Sequence, residues 1–427
     1  MLRLLYGGAM SLAQAASWVT PPLSSKVARS LAARRRVLSR WTTAAATRDP
    51  SRPLIWLHAP SVGEGLQARP VAHALREARP DLQLAYSYYS PSAEKFARSI
   101  GADFTDYLPF DSSAAADRLL SALRPDVLVF VKLDVWPTLV RRAVARGVPV
   151  ALASATLAEG SGRLGGISRA LLQPAYTALR AVGAIDAVHA RRLLELGVPE
   201  EVMQLTGDTR YDQVWDRAWA TRRPAPILAK LESARPTVVA GSTWPADEAV
   251  LLPAWRFVRT RLPDARLIIA PHEPTTDAVE RIRQWGVKSG MAVQTLTDVE
   301  RVGQVSGDVL IVDRVGLLGD LYRVASAAFV GGGFHSAGLH SVIEPAAFGV
   351  PVTFGPRHQM SRDAGLLIAE GGGKAVEDTE ALSRVLSGWL RDAAVRDAAG
   401  GSAKYVVENG RGATQKTTEM ILQLLPR

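Results

Sequence analysis

The strongest constraint on the fold is a repeated alternation of short apolar, β-branched runs with helical segments, beginning at residue 53. Such runs are typical of parallel sheets whose strands are joined by crossover helices. The first series consists of PLIWLHA (53–59), QLAYSYYS (83–90), DVLVFVK (126–132), VPVALASA (148–155) and AVGAIDAV (181–188). This part of the chain is therefore predicted to form a parallel α/β sheet.

A second series follows residues 215–235, a stretch rich in Ala, Arg and Pro that we interpret as a linker. Its runs are TVVAGS (237–242), RLIIAPH (266–272), DVLIVD (308–313), AAFVGGG (327–333) and VPVTFG (350–355). A chain of 427 residues is also long enough for more than one domain of about 150 residues. We therefore predict two doubly wound Rossmann-like domains, residues 51–214 and 236–427, facing a central cleft. Ligands of such folds bind outside the carboxyl ends of the strands.

The first 50 residues precede the alternating strands and helices, and two of their segments bear on whether the chain spans or contacts a membrane. Residues 4–19 are mostly apolar or small, but they are shorter and more diluted by polar residues than the ~20 apolar residues that a span needs. They also resemble a weak signal peptide, and Pro21-Pro22 ends any helix there. The basic run 26–40 is either an amphipathic contact with anionic lipid or a solvated helix. We expect a peripheral membrane contact.

Composition and missing motifs exclude several classes of protein. The absence of cysteine excludes disulfide scaffolds and Cys-ligated zinc or iron–sulfur sites. There is no complete G-x-x-x-x-G-K-[ST], H-E-x-x-H or G-x-S-x-G motif, and Gly331-Gly332-Gly333, which follows a predicted strand, lacks the third glycine of G-x-G-x-x-G. The net charge of +10 favours an anionic partner, but the cations are not interleaved with aromatics as in nucleic-acid modules. We predict no nucleic acid, no metal and no cofactor.

Ser61-Val62-Gly63-Glu64 lies where the first predicted strand meets its helix. The S-x-x-E spacing is that of a capping box, in which Ser61 and Glu64 satisfy each other's backbone amides. The same position also suits a general base, because the helix dipole keeps a carboxylate ionised at the carboxyl edge of the sheet. The sequence leaves both interpretations open.

A second S-x-x-E, Ser341 to Glu344, follows the strand 327–333. It predicts either another capping box or a nucleotide site, with phosphate at the helix amides and Glu344 accepting from ribose hydroxyls. His340 and Glu344 are four residues apart and are expected on one helix face, where metal ligation is a third option.

Other polar residues follow predicted strands at the same edge. Ser242, Thr243 and His272 follow strands of the second series, and each is either a turn residue or part of a ligand site. Trp136, after Lys132 and Asp134, is either an aromatic plug under a turn or part of a site.

The order of these motifs resembles that of the 3-deoxy-D-manno-octulosonic acid (Kdo) transferases. The matching segments are WLHAPSVGEG (56–65), YLPFD (107–111), VKLDVWP (131–137), LTGDTRYD (205–212), AGSTWPADE (240–248), IIAPHEP (268–274), VDRVGLLGDLY (312–322) and FVGGGFHSAGLHSVIEPAAFGVPVTFGP (329–356). The resemblance implies a GT-B fold on the cytoplasmic face of the bacterial inner membrane. It implies inverting transfer of Kdo from CMP-Kdo to a lipid A precursor, lipid IVA, without a metal.

The resemblance also assigns roles to individual residues. Glu64 is expected to be the proton acceptor, Arg210 to stabilise the transition state, and Lys132 to stand among the catalytic residues where the family usually has glutamate. The acceptor is expected at Ser61, Gly63, Asp134 and Trp136. The nucleotide is expected at Ser242, Pro271, His272, Val315, Gly316, Leu317, His340, Ser341 and Glu344. A transferase with another nucleotide-sugar donor and a catalytically silent binder of lipid or nucleotide are the alternatives.

Overall fold

The computed structural model describes residues 2–19, 26–219, 226–336 and 338–426, which divide into two compact units. The first unit comprises residues 1–213 and 411–427, and the second comprises residues 214–410. Each unit contains one seven-stranded sheet, and every strand pair in both sheets is parallel. The predicted α/β class is confirmed.

The sheet of the first unit has the strand order β3-β2-β1-β4-β5-β6-β7. Its strands are β1 (Leu54–His58), β2 (Gln83–Tyr88), β3 (Phe104–Tyr107), β4 (Val127–Val131), β5 (Val150–Ala155), β6 (Ala181–Ala184) and β7 (Met203–Leu205). The helices along this part of the chain are α1 (Leu2–Val19), α2 (Lys26–Ala33), α3 (Val37–Ala45), α4 (Val62–Ala78), α5 (Ala93–Ala97), α6 (Ser113–Leu123), α7 (Pro137–Val144), α8 (Gly166–Thr177), α9 (Ala187–Leu196) and α10 (Arg210–Trp219).

The sheet of the second unit has the order β10-β11-β9-β8-β12-β13-β14. Its strands are β8 (Thr237–Thr243), β9 (Arg266–Pro271), β10 (Val293–Thr295), β11 (Val309–Ile311), β12 (Ala327–Val330), β13 (Val352–Phe354) and β14 (Gly373–Ala375). Its helices are α11 (Pro226–Leu231), α12 (Pro245–Arg261), α13 (Thr276–Lys288), α14 (Leu296–Val302), α15 (Leu318–Leu321), α16 (Ile343–Ala347), α17 (Arg362–Ala369), α18 (Thr379–Arg391) and α19 (Ala393–Asn409).

The strands are apolar runs because both faces of each sheet are covered. In the second unit, Val238 and Ala240 of β8 pack into one apolar core, while Val239 packs into another on the opposite face. Successive strand residues point to opposite faces, so a strand covered on both sides needs apolar residues throughout. Polar residues therefore lie beyond the covered part of the strands, at their carboxyl ends.

The chain returns to the first unit at its end. Helix α20 (Ala413–Leu422) contacts α4, and its Met420 and Ile421 are buried in the core of the first unit. Asp212 fixes the start of α20, because its carboxylate accepts the amides of Gly412 and Thr414, both at 2.7 Å. This differs from the predicted second domain, which extended to residue 427. The predicted linker contains the end of α10 and all of α11, and residues 220–225 lie outside the described part.

The basic run at residues 26–40 is partly internal. Arg34 is fully buried, stacks 3.7 Å from the Tyr89 ring, and donates to the backbone oxygens of Leu108 and Tyr89. Arg40 forms a two-bond ion pair with Asp106. These two cations stabilise the first unit, which corrects the expectation that the run as a whole faces lipid. Arg29 and Arg36 remain exposed.

Pro21-Pro22, predicted to end the first helix, lie outside the described residues. Within the described ranges, no helix combines the length and the apolar character that crossing a bilayer requires.

Candidate active site and nucleotide site

Glu64 lies in the first turn of α4, directly after β1, with Ser61 as the N-cap residue. The Ser61 hydroxyl accepts the Gly63 amide at 3.2 Å and donates to Glu64 Oε2. The carboxylate of Glu64 therefore bonds to the Ser61 side chain and not to its backbone amide. The reciprocal capping box, one of the two interpretations that the sequence left open, does not form, because Glu64 bonds to the Ser61 side chain and to a second partner.

That partner is Lys132, whose Nζ lies 2.9 Å from Glu64 Oε1. Lys132 follows β4 with a φ of 72°, a left-handed conformation that costs a non-glycine residue about 1–3 kcal/mol. Its backbone amide donates to Ala153 and its carbonyl accepts from Thr156, which holds this conformation in place. The strained backbone of Lys132 thus places its ammonium group beside the carboxylate of Glu64, the candidate base.

The environment of Glu64 favours its ionised form. Burial raises the pKa of the carboxyl group, but the charge of Lys132 and the hydrogen bond from Ser61 outweigh burial and hold the pKa below its usual value. Glu64 is therefore a carboxylate at neutral pH, with its lone pairs directed to two donors. Its two oxygens offer about four lone-pair positions, so these two donors still leave room for a hydrogen bond from a substrate hydroxyl.

Asp134 and Trp136 continue the same loop. Asp134 Oδ2 accepts the Trp136 indole N–H at 2.9 Å and lies 3.5 Å from His58 Nε2. Burial raises the pKa of Asp134, but His58, Trp136 and Arg163 outweigh it and lower the pKa overall. Trp136 also packs against Tyr89, with ring centroids 5.2 Å apart. Trp136 thus packs under the loop as predicted for a plug and also orients Asp134.

His58 is a site residue that sequence reasoning missed. It ends β1, is fully buried, and has Nδ1 2.9 Å from the Ser87 hydroxyl. Its Nε2 faces the Asp134 carboxylate but makes no hydrogen bond. The signal in the sequence was a histidine within an otherwise apolar strand, two residues before the Pro-Ser-Val-Gly turn.

Arg210 is tied to the helix that carries Glu64. Its guanidinium donates twice to Asp208 Oδ2, at 2.9 and 2.7 Å, and buried Asp208 also accepts the amide of Gln67 at 3.0 Å. Burial raises the pKa of Asp208, but Arg210 and Gln67 lower it overall. Gln67 follows Glu64 by one helical turn, so Arg210 and Glu64 are held by the same helix. Asp208 and Gln67 were not predicted.

In the second unit, the predicted nucleotide residues follow the ends of β8, β9, β11 and β12. Ser242 lies near the end of β8 with a φ of 55°, and buried Pro271 ends β9. Val315, Gly316 and Leu317 form the loop from β11 to α15, where Val315 is exposed and Gly316 has a φ of 98°. Because the strands are parallel, their carboxyl ends share one edge of the sheet.

The glycine-rich loop after β12 is fixed by a buried carboxylate. Asp247 of α12 accepts the amides of Gly332 at 2.8 Å and Phe334 at 3.1 Å, and also the amide of Trp244 at 2.9 Å. Gly332 has a φ of 92°, and a side chain there would collide with the Gly338 carbonyl. Asp247, which sequence reasoning missed, therefore holds the loop in one conformation.

An aromatic stack lies beside this loop. Trp244 stacks on His335 and on His272, with ring centroids 4.4 Å apart in each case, and His272 stacks on His340 at 4.6 Å. Burial and the neighbouring His272 lower the pKa of His340. Its Nε2 accepts the Trp244 indole N–H at 3.1 Å, which requires the neutral form of that nitrogen. Trp244 and His335 were not predicted.

The second S-x-x-E forms no capping box. Helix α16 begins at Ile343 and its N-cap residue, Val342, makes no side-chain cap, so His340 lies before the helix. The expectation that His340 and Glu344 share a helix face is wrong, because the loop turns His340 towards Trp244. Glu344 Oε2 lies 4.0 Å from Arg217 instead. Ser341 is partly exposed in the loop between them. Within the described ranges, no three His, Cys, Asp or Glu residues are placed to hold a metal ion.

Comparisons with known proteins agree with the motif order. Residues 31–213 match the family described as 3-deoxy-D-manno-octulosonic-acid transferase (kdotransferase). The Haemophilus influenzae 3-deoxy-D-manno-octulosonic acid transferase is 25% identical over 390 residues, which cover 87% of each chain. The Bordetella pertussis protein of the same name is 28% identical over 378 residues, which cover 86% of each chain.

Solved structures share the architecture at low identity. UDP-GlcNAc 2-epimerase from Neisseria meningitidis superposes with a TM-score of 0.62 at 13% identity, covering 87% of this chain and 100% of that chain. A glycosyltransferase from Rickettsia africae gives 0.58 at 12% identity, covering 87% and 98%. These likenesses concern the fold alone. The chain is thus similar over most of its length to the 3-deoxy-D-manno-octulosonic acid (Kdo) transferases, which are glycosyltransferases, and it has the GT-B fold.

Proposed function

We propose that the protein transfers Kdo from CMP-Kdo to a lipid A precursor, lipid IVA, with inversion at the anomeric carbon. The observation that carries this proposal is the position of Glu64, an ionised carboxylate in the first turn of α4, held by Ser61 and Lys132. Similarity to Kdo transferases over most of the chain supports the donor and the acceptor class.

Glu64 acts as the general base. An acceptor hydroxyl donates a hydrogen bond to Glu64, and its oxygen attacks the anomeric carbon while the bond to the CMP phosphate oxygen breaks. The proton passes to Glu64 as the new C–O bond forms. A transition state of oxocarbenium character makes the hydroxyl acidic late in the attack, so even a carboxylate of low pKa can accept its proton.

Asp134 and Lys132 flank the attacking hydroxyl in this scheme. Asp134, oriented by Trp136 and His58, accepts a hydrogen bond from a second acceptor group. Lys132 stays beside Glu64 and offsets the negative charge of the Kdo carboxylate as the donor approaches. Gly63 has no side chain, and the only neighbour that an added Cβ would meet is the Ser61 hydroxyl. The space beside Ser61 is therefore open to the acceptor sugar.

CMP binds at the carboxyl edge of the second sheet. His272 is exposed at the edge of the aromatic stack, where a pyrimidine ring can extend the stacking. Glu344 accepts from the ribose hydroxyls, and the loops at Ser242, Pro271, Val315–Leu317 and His340–Ser341 surround the nucleotide. Arg210 stabilises the departing phosphate. Helix α16 is five residues long, so its dipole contributes little to this stabilisation.

The protein works as a peripheral protein at the cytoplasmic face of the inner membrane. Helix α1 exposes a row of apolar residues that includes Leu5 and Leu12, which are 64% and 73% exposed. The nearby Arg29 and Arg36 are exposed and suited to anionic headgroups. Binding at the membrane surface would bring the lipid acceptor to the polar site around Glu64.

The test is release of CMP from CMP-Kdo by purified protein in the presence of lipid IVA, with the Kdo-modified lipid followed by mass spectrometry. We expect stoichiometric CMP and product. Turnover with another nucleotide sugar but not with CMP-Kdo would contradict the donor. The ion pair between Lys132 and Glu64 favours one competing function, a silent lipid or nucleotide binder, and binding without turnover of any donor would support it.

A further inference from the structure

An apolar groove lies in the first unit beside the loop that carries Trp136. It has a volume of about 170 Å³. Helix α7 contributes Pro137, Thr138, Arg141 and Val144, α8 and its C-cap contribute Leu171, Pro174, Ala175 and Ala178, and Tyr6 of α1 completes the lining. The spacing within each set places its members on one helix face. The groove therefore lies between one face of α7 and one face of α8.

The groove is joined to the candidate acceptor residues by covalent and hydrogen bonds. Pro137 lines it and directly follows Trp136, the residue that orients Asp134. Buried Asp111 accepts the amides of Thr138 and Leu139, both at 2.8 Å, and the Tyr6 hydroxyl at 3.1 Å. One carboxylate thus fixes both the start of α7 and the side chain from α1 that completes the groove.

The surroundings of the groove are those of a site for an anionic amphiphile. Ile167, one turn before Leu171 on the same face of α8, is 73% exposed and continues the apolar stripe to the surface. Arg141 at the lining and Arg169 on α8 are both exposed, and neither makes an ion pair with a described carboxylate. An acyl chain would occupy the groove while these cations face phosphate or carboxylate groups.

We propose that this groove binds one acyl chain of the lipid acceptor and so positions the acceptor sugar beside Glu64. The proposal rests on the proposed transfer to an acylated, phosphorylated sugar and names the part of the first unit that recognises the lipid. A methylene group takes up about the same space as a water molecule, roughly 30 Å³, so the groove holds about five or six methylenes. Each buried methylene strengthens binding about fourfold.

The test compares two variants that add a phenyl ring at a helix C-cap. Ala178 is the C-cap residue of α8 and lines the groove, so Ala178→Phe fills it. Ala145 is the C-cap residue of α7, is exposed and lies outside the lining, so Ala145→Phe is the matched control. Leu171→Gln is a second groove variant that adds no volume, and circular dichroism and thermal unfolding check that each variant folds.

Binding is measured first, by calorimetric titration of each protein with dodecyl phosphate and with inorganic phosphate. We expect Ala178→Phe and Leu171→Gln to bind dodecyl phosphate at least tenfold more weakly than wild type and Ala145→Phe, with no saturable binding of inorganic phosphate. Equal affinity in all four proteins would overturn the proposal. This measurement does not depend on turnover, so it remains decisive if the proposed function fails.

Transfer kinetics then identify the natural occupant. With an acylated acceptor, Ala178→Phe should raise KM at least tenfold with little change in kcat. With the same phosphorylated sugar lacking acyl chains, the variant should match wild type. Weaker dodecyl phosphate binding with an unchanged KM would assign the groove to a bilayer lipid and overturn its role in acceptor binding. Absence of transfer by wild type with either acceptor would refute the proposed function alone.

Discussion

Replacing Lys132 by methionine removes the cation beside Glu64 while keeping the length of the side chain. Nζ and Oε1 are 2.9 Å apart, and the lysine side chain is 42% exposed, so a dielectric constant near that of water applies. Coulomb's law then gives about 1.4 kcal/mol of attraction, equivalent to tenfold in an equilibrium constant. The ionised form of Glu64 should lose about this much stabilisation.

The sign of the effect on activity follows from the role of Glu64 as a base. Lys132 lowers the pKa of Glu64, so wild-type activity is lost only as the pH falls through a low value. Without Lys132 the pKa of Glu64 rises, and the pH at which kcat/KM falls to half should move up by about one pH unit. Near neutral pH the carboxylate remains ionised in both proteins.

The assay is the pH dependence of CMP release between pH 4 and 9, with single-turnover measurements to isolate the chemical step. Lys95→Met is the control, because Lys95 is exposed on α5 and its loss removes the same charge away from Glu64. The control should leave the acid limb of the profile unchanged. An acid limb that stays in place or moves down in Lys132→Met would refute the assignment of Glu64 as the titrating base.

Three further predictions concern stability and the nucleotide site. Arg34→Met should lower the free energy of unfolding by about 3 kcal/mol, because it leaves buried carbonyls unpaired, whereas Arg36→Met should have no measurable effect in urea titrations. Asp247→Asn should weaken CMP binding about tenfold in calorimetry, because one amide oxygen replaces two carboxylate oxygens that hold the glycine-rich loop; unchanged affinity would separate the loop from the nucleotide. The lowered pKa of His340 means that the folded protein favours its neutral form, so stability should fall as the pH drops below about 6.5 and through the folded-state pKa. His340→Leu should reduce this loss between pH 7.5 and 5.5, and an identical change in Tm for both proteins would contradict the inference.

Much of the fold could be predicted because buried parallel strands read as apolar runs. PLIWLHA contains β1 and DVLVFVK contains β4, each with both faces covered. Shorter edge strands such as β7 and β14 were missed because they are only three residues long and not fully buried. The return of α20 to the first unit depends on the contact of Asp212 with amides about 200 positions later, which local patterns do not encode.

The local geometry around both S-x-x-E motifs differs from what the sequence predicted. Both S-x-x-E motifs indicate capping boxes by spacing, but Glu64 turns to Lys132, which lies 68 positions away. Arg34 looked like a surface cation because nothing in the run shows that Tyr89 and Leu108 surround it. Partners distant in sequence decide these positions, and one sequence alone does not reveal them.

The cleft between the two domains stays a prediction, as do the roles of the individual site residues. Ser242, Pro271 and His272 lie at the ends of strands in the structure, which adds His58, Asp208, Asp247 and Trp244 as residues that contact the predicted site residues or fix their loops. His58 could have been found as a histidine within an apolar strand, whereas no local pattern in the sequence marks Asp208, Asp247 and Trp244 as partners of site residues.

The most direct test of the account is the Glu64→Gln variant, assayed with CMP-Kdo and lipid IVA. Glutamine keeps the size of the side chain and can still bond to Ser61, but it cannot accept the proton. Loss of general base catalysis should lower kcat by about 10²–10⁴-fold, while calorimetry should show unchanged affinity for CMP. Turnover at the wild-type rate in this variant would contradict the assignment of Glu64 as the catalytic base.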